Sequence, residues 1–139
     1  MKPLPSSENP LVIRTDFSDD ATWSAIQRAI QAPVGEDGFL ANVRFVDDRA
    51  YEGAGKDQLL PMLVGAEPWN SFAIIADATT MAAPERPLLV VDVSDEPGRD
   101  FRAVPTSIQS IENNLSLANL DFRDFADSVD ADGVFRDFR

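Results

Sequence analysis

Short apolar runs separated by helical or turn-forming segments constrain the fold of this sequence more than any other feature. The runs are "LVIR" at 11–14, "FLANVRFVDD" at 39–48, "SFAIIAD" at 71–77 and "LLVVDVS" at 88–94, each of strand length and composition. Between the first two, Trp23, Ile26 and Ile30 have the spacing of one helix face. This alternation is typical of an α/β fold.

The C-terminal third adds a strand and a helical stretch. "DFRAVP" at 100–105 is expected to return antiparallel as a fifth strand. A regular apolar stripe follows at Ile108, Ile111, Leu115, Ala118, Phe122, Phe125 and Val129. It fits one helix, or two if Asn119 or Asp121 begins a second. The prediction is a single α/β domain with a mixed sheet of about five strands, in the order β-α-β-α-β-β-β-α, and helices packed on it. The ten residues "ATTMAAPERP" leave the direction of the fourth strand open.

The N-terminal ten residues differ from the rest of the chain. "MKPLPSSENP" contains three prolines and no apolar segment of the kind that directs secretion. We therefore expect a flexible arm at 1–10 and one domain at 11–139. No apolar run approaches the roughly 20 residues of a membrane span, so a cytoplasmic bacterial protein is expected.

The amino-acid composition excludes several kinds of catalytic group, metal ligand and binding partner. The chain has no cysteine and no histidine, so thiolate and imidazole catalysis and the usual zinc ligands are absent. The net charge is −12, which disfavours nucleic acid and anionic membranes as ligands. An acidic surface is explained by solubility alone, or by the docking of a basic protein partner.

Aspartates follow several of the predicted strands. Asp16, Asp47 and Asp77 would share one edge of the sheet if their strands are parallel. Carboxylates gathered there would suit Mg²⁺ or Mn²⁺, with Thr79 or Tyr51 near a substrate, which is the metal-dependent enzyme hypothesis. Aspartate is also common in exposed turns and caps, so strand ends alone explain the pattern equally well.

Other acids near strand ends have simpler explanations. Ser18 is expected to cap the first helix, with Asp19 and Asp20 in its first turn, where the helix dipole favours negative charge. Asp92 would lie at the opposite edge if the third and fourth strands are antiparallel. These three aspartates are therefore weaker site candidates.

The first functional hypothesis is a non-enzymatic, acidic protein-binding domain. Asp124, Asp127, Asp130 and Asp132 lie off the C-terminal apolar stripe and are the candidate partner-binding residues. The partner would be a basic protein, no cofactor is required, and an immunity- or inhibitor-like role is the most concrete version. A third hypothesis is an oligomeric structural domain, in which Trp69, Phe135 and Phe138 pack across an interface or instead close the core.

Several stretches together carry a family resemblance. "LVIRTDFSDDATW", "FVDDRAYEG", "PLLVVDVS" and "IENNLSLANLDFRDFADSVDADGVFR" resemble a family of small acidic bacterial domains of unknown function. The resemblance covers nearly all of the chain after the N-terminal arm. It implies a small stand-alone cytosolic domain and brings no activity, cofactor or catalytic residue.

Overall fold

A computed structural model describes residues 1–65 and 71–138. The strands in these ranges are β1 (Leu11–Arg14), β2 (Arg44–Val46), β3 (Phe72–Ala76), β4 (Leu88–Asp92), β5 (Asp100–Ala103) and β6 (Val134–Phe135). The helices are α1 (Asp20–Gln31), α2 (Lys56–Leu63), α3 (Ala78–Ala82), α4 (Ile108–Ser116) and α5 (Phe122–Ala126), with 3-10 turns at Arg49–Tyr51 and Pro105–Ser107.

The strands form one mixed sheet in the order β2-β1-β3-β4-β5-β6. β1 is parallel to both β2 and β3, β4 is antiparallel to both its neighbours, and β5 is parallel to β6. The predicted α/β class and mixed sheet are confirmed. The sequence prediction missed β6, because a two-residue strand carries no periodicity of its own.

The short link between β3 and β4 sets the direction of β4. Its helix, α3, has five residues and is about 7 to 8 Å long. β3 also has five residues but extends roughly 16 Å. The whole link, residues 77–87, is shorter than the dozen or more residues that a parallel crossover usually takes, and β4 returns antiparallel with Ile74 opposite Val90.

Apolar side chains are buried on both faces of the sheet. Alternate strand residues such as Ile74 face the core beneath α1, α4 and α5, while neighbours such as Ile75 face the core beneath α2. Trp23, Ile26 and Ile30 are buried on the first face, as the helical spacing predicts. Helices on both faces explain why β3 is apolar throughout and fully buried.

The C-terminal apolar stripe is divided between two helices. α4 ends at Ser116, and α5 begins after Asp121, the alternative start predicted from the sequence. Between them Ala118 adopts a φ of +55°, which no α-helix can contain. Phe125 is nevertheless fully buried and lies 5.1 Å from Phe135 between ring centroids.

Two predicted boundaries are wrong. The second strand covers Arg44–Val46 only, and Phe39 and Leu40 are 56% and 55% exposed outside it. The N-cap of α1 is Asp19, not Ser18, because the Asp19 carboxylate accepts hydrogen bonds from the backbone N–H groups of Ala21 and Thr22.

Residues 1–10 have no regular secondary structure and lie against the β2 edge of the sheet. The Tyr51 hydroxyl donates to the Pro3 carbonyl at 2.7 Å, and the Arg44 guanidinium donates to the Ser6 carbonyl at 2.7 Å. Lys2 pairs with Asp48 at 2.6 Å. These contacts connect the arm to the part of the domain that carries β2.

The residues of the proposed oligomeric interface have different surroundings. Phe135 is buried, and Phe138 is 45% exposed but contacts the rings of Phe125 and Phe135 with centroid distances of 5.2 and 5.1 Å. These contacts agree with the alternative that the two phenylalanines close the core. Trp69 lies outside the described residues.

The left-handed conformation of Ala118 gives a stability prediction. Ala118→Gly should raise the free energy of unfolding by about 0.5–1 kcal/mol, because glycine adopts this conformation without a Cβ clash. Ala25→Gly, at an exposed position inside α1, should lower it by about 1 kcal/mol. Urea unfolding of both variants checks the pair, and a loss of stability in Ala118→Gly would contradict the observed conformation.

Candidate functional site

The carboxyl ends of the three parallel strands lie side by side along one side of the sheet, here called the strand-end edge. β1, β2 and β3 run in the same direction, so Asp16, Asp47 and Asp77 all follow strands that end there. The shared edge is the one that the sequence predicts. Each carboxylate is nevertheless bonded to a different partner, and these partners determine what the edge can do.

Asp47 is paired with Arg14, a buried residue at the end of β1. The Arg14 guanidinium donates to Asp47 at 3.2 Å, to Asp20 at 2.6 Å and to the Asp16 backbone carbonyl at 3.2 Å. Its guanidinium carbon also lies 4.2 Å from the centre of the Phe17 ring. Arg14 thus holds the loop after β1 against the loop after β2.

Asp77 is paired with Arg102 of β5 in a two-point contact. Arg102 Nη1 and Nη2 donate to the two carboxylate oxygens at 2.7 and 2.9 Å, and the Thr80 backbone N–H donates at 3.2 Å. Burial by itself would raise the pKa of Asp77. The hydrogen bonds and the charge of Arg102 outweigh burial, so the pKa lies below its ordinary value.

Asp16 forms a local turn. Its carboxylate accepts hydrogen bonds from the backbone N–H of Ser18, at 2.9 Å, and from the Ser18 hydroxyl. The other residues of the enzyme hypothesis are dispersed: Thr79 is exposed on α3, and Tyr51 is buried with its hydroxyl bonded to Pro3.

The three aspartates of the metal hypothesis therefore each have a different partner. Across residues 1–65 and 71–138, no group of three or more acidic side chains comes together in a way that could hold a metal ion. Asp16, Asp47 and Asp77 lie at the strand-end edge but have no partner in common. Asp47 is bound to Arg14, and Asp77 is bound to Arg102. The sequence pattern predicted that these aspartates lie at one side of the sheet, but it did not indicate their partners, Arg14 and Arg102.

Asp92 lies at the opposite end of the sheet, as expected for an antiparallel fourth strand. It is buried, and its carboxylate accepts hydrogen bonds from the backbone N–H groups of Ser94, Asp95 and Glu96 at 3.0, 3.3 and 2.9 Å. This pattern orders the turn between β4 and β5. Asp92 is a structural residue of that turn.

The candidate partner-binding acids lie on α5 and in the segment that leads to β6. Asp127 pairs with Arg99 at 2.6 Å, and Asp130 and Asp132 both pair with Arg136 at 2.7 Å. Asp124 accepts a hydrogen bond from the backbone N–H of Asp121 at 2.8 Å, which forms a capping box at the start of α5. The structure therefore brings Asp130 and Asp132 together.

A third carboxylate completes the cluster around Arg136. Glu85 accepts two hydrogen bonds from the Arg136 guanidinium, at 2.9 and 2.7 Å. Hydrogen bonds from Arg136 hold the pKa values of Glu85 and Asp132 below their usual range. Glu85 is 51 residues from Arg136 in the sequence, so no local pattern indicates this pairing.

The chain belongs to a family described as a domain of unknown function, DUF6924, whose model matches residues 9–138. The resemblance to a family of unknown function is thereby confirmed. No curated protein matches the chain. Among the helices described, none is both long enough and apolar enough to cross a membrane.

The Asp77–Arg102 pair gives a pH-dependent prediction. Arg102→Met should destabilise the protein by about 2 kcal/mol at pH 7, because it leaves a half-buried carboxylate without its cation. Since the folded-state pKa of Asp77 is lowered, the stabilisation is complete above the unfolded value of about 3.9. It is lost as the pH falls through the folded value, so wild type and variant should converge in acid.

Arg123→Met is the matched control. Arg123 is 3.8 Å from Asp121, and both side chains are largely exposed, so little change in stability is expected. Thermal melts between about pH 7 and about pH 2 measure both effects. A destabilisation by Arg102→Met that does not depend on pH would show that the arginine acts through packing and not through Asp77.

Because Asp16, Asp47 and Asp77 have separate partners, we expect divalent cations not to stabilise the protein. Millimolar Mg²⁺ or Mn²⁺ should leave the melting temperature unchanged beyond the effect of equal ionic strength, since the described residues form no common ligand set. A saturable rise in melting temperature that disappears in Asp47→Asn would restore the metal-dependent enzyme hypothesis.

Proposed function

We propose that this chain is an acidic protein-binding domain that docks a basic protein partner. The proposed contact surface is the C-terminal acidic surface, formed by Glu85, Asp124, Asp127, Asp130 and Asp132. An immunity- or inhibitor-like role, in which the domain covers a functional surface of its partner, is the most concrete form. We also propose a cytoplasmic location in a bacterium.

The three carboxylates around Arg136 carry the proposal. Glu85, Asp130 and Asp132 all bind the Arg136 guanidinium, so among the described residues three carboxylates share one cation. Ion pairing usually neutralises a surface, but here it fixes an excess of negative charge in place. Such a cluster can accept further hydrogen bonds from a cationic partner.

Fixed carboxylates favour docking for an entropic reason. Arg136 and the capping box hold Asp124, Asp130 and Asp132 before any partner arrives. Less side-chain freedom is then lost when the complex forms. The net charge of −12 adds long-range attraction for a basic protein, which raises the association rate at low ionic strength.

The metal-dependent enzyme hypothesis has less support. Its three aspartates have separate partners, and no observation within the described residues favours a shared cation. The acidic surface requires no cofactor. Protein binding is therefore the function that we propose.

Affinity capture from an extract of the natural host tests the proposal. The wild-type domain should retain a basic protein at about 0.05 M salt and release it by about 0.5 M. The variant Asp127→Asn with Asp132→Asn should retain much less of it, because two charges of the C-terminal acidic surface are removed.

The matched control removes two charges elsewhere. Glu8→Gln with Asp57→Asn changes the net charge equally, and both residues are exposed and outside the ion pairs of the described chain. This control should retain the partner almost as well as the wild type, and thermal melts show whether each variant is folded. Equal retention by both variants, or no capture at all, would contradict the proposed function.

A further inference from the structure

Residues 34–40 form a projecting hairpin-like loop, here called the docking loop. The backbone N–H groups of Val34 and Phe39 donate to each other's carbonyls, both at 2.8 Å. Gly38 donates to Gly35 at 3.2 Å across the tip. Both glycines have positive φ, +75° and +66°, which this tight turn requires and other residues rarely adopt.

The chain that leaves the docking loop is fixed to the core. Glu112 of α4 is buried and accepts a hydrogen bond from the Asn42 backbone N–H at 2.7 Å. Ala41 and Val43 pack partly against the first core cluster. With one limb anchored and the tip hydrogen-bonded, the docking loop is a preformed projection and not a loose connection.

The docking loop exposes two large apolar side chains in succession. Phe39 and Leu40 are each more than half exposed, although backbone hydrogen bonds of Phe39 and Asn42 hold this segment in place. A single exposed apolar side chain is ordinary, but adjacent ones on an ordered projection are typical of an interaction surface. Aromatic side chains are enriched at protein interfaces, so Phe39, with Leu40 beside it, supplies an apolar anchor for a cleft in a partner.

The charge of the docking loop indicates the chemistry of that partner. Glu36 and Asp37 are exposed at the tip, and in the described part of the chain neither makes an ion pair or a side-chain hydrogen bond. Two free carboxylates beside an apolar pair complement an apolar cleft with basic residues at its rim. A second copy of this chain is a poor occupant, because each copy carries a net charge of −12.

We propose that the docking loop inserts Phe39 and Leu40 into an apolar cleft of a basic protein, while Glu36 and Asp37 pair with cationic residues at the rim of that cleft. This inference rests on the proposed protein-binding function but uses a surface separate from the C-terminal acidic surface. The apolar pair supplies the anchor, and the acidic tip selects a partner of opposite charge.

Site-specific photo-crosslinking in cells of the natural host tests the contact directly. A benzophenone-bearing phenylalanine analogue replaces Phe39 in the full chain, and the same analogue replaces Leu117 in a control. Leu117 is 65% exposed, comparable to Phe39, but it lies at the end of α4 beside no free acidic tip. We expect a cross-link to one basic protein from position 39 and none from position 117.

Affinity measurements with the purified cross-linked protein then separate the two components. Phe39→Ser with Leu40→Ser should weaken binding by about tenfold or more, whereas Leu117→Ser should leave it unchanged. Glu36→Gln with Asp37→Asn should weaken binding at low salt and reduce its dependence on salt. Thermal melts of each variant show that the fold is retained.

The outcomes distinguish this inference from the proposed function. Capture that depends on the C-terminal acids, without a cross-link from position 39, overturns the docking-loop proposal and leaves the protein-binding function standing. A cross-link to a second copy of the chain, or equal cross-linking from positions 39 and 117, also overturns it. Absence of both capture and cross-linking overturns both proposals.

Discussion

The antiparallel pairing of β3 with β4 is the constraint on which the rest of the structure depends. Because β4 reverses the chain, β5 runs in the direction of β3, and Arg102 reaches the end of the sheet where Asp77 lies. The same reversal places Asp92 at the opposite end, where it orders a turn. One chain reversal therefore gives Asp77 an arginine partner and separates it from Asp92.

Arginines organise many of the acids of the described chain. Arg14, Arg102 and Arg136 each connect segments that are distant in sequence through carboxylates. Because the sequence has twice as many acids as bases, such pairing leaves an excess of negative charge, fixed most clearly around Arg136. Ion pairs that stabilise the fold thus also create the acidic surface that we propose for partner binding.

Local patterns predicted the elements, and long-range geometry determined the site. Trp23, Ile26 and Ile30 have helical spacing, and β3 is an apolar run. Both patterns follow directly from burial, so α1 and the central strand were predictable. The partners of Asp47 and Asp77 come from separate strands, and no periodicity reports that contact. The apolar run at residues 39–48 was misleading in its first half, because packing against the first core cluster partly buries Ala41 and Val43 without a strand.

Hydrogen–deuterium exchange of the complex with the captured basic protein tests the central claim most directly. The account predicts slower exchange on binding in residues 34–40 and 121–132, where the docking loop and most of the C-terminal acidic surface lie. It predicts no change in residues 15–20, 47–48 and 77–80 at the strand-end edge. Slower exchange confined to that edge would contradict it and place the functional site among the arginine-paired aspartates.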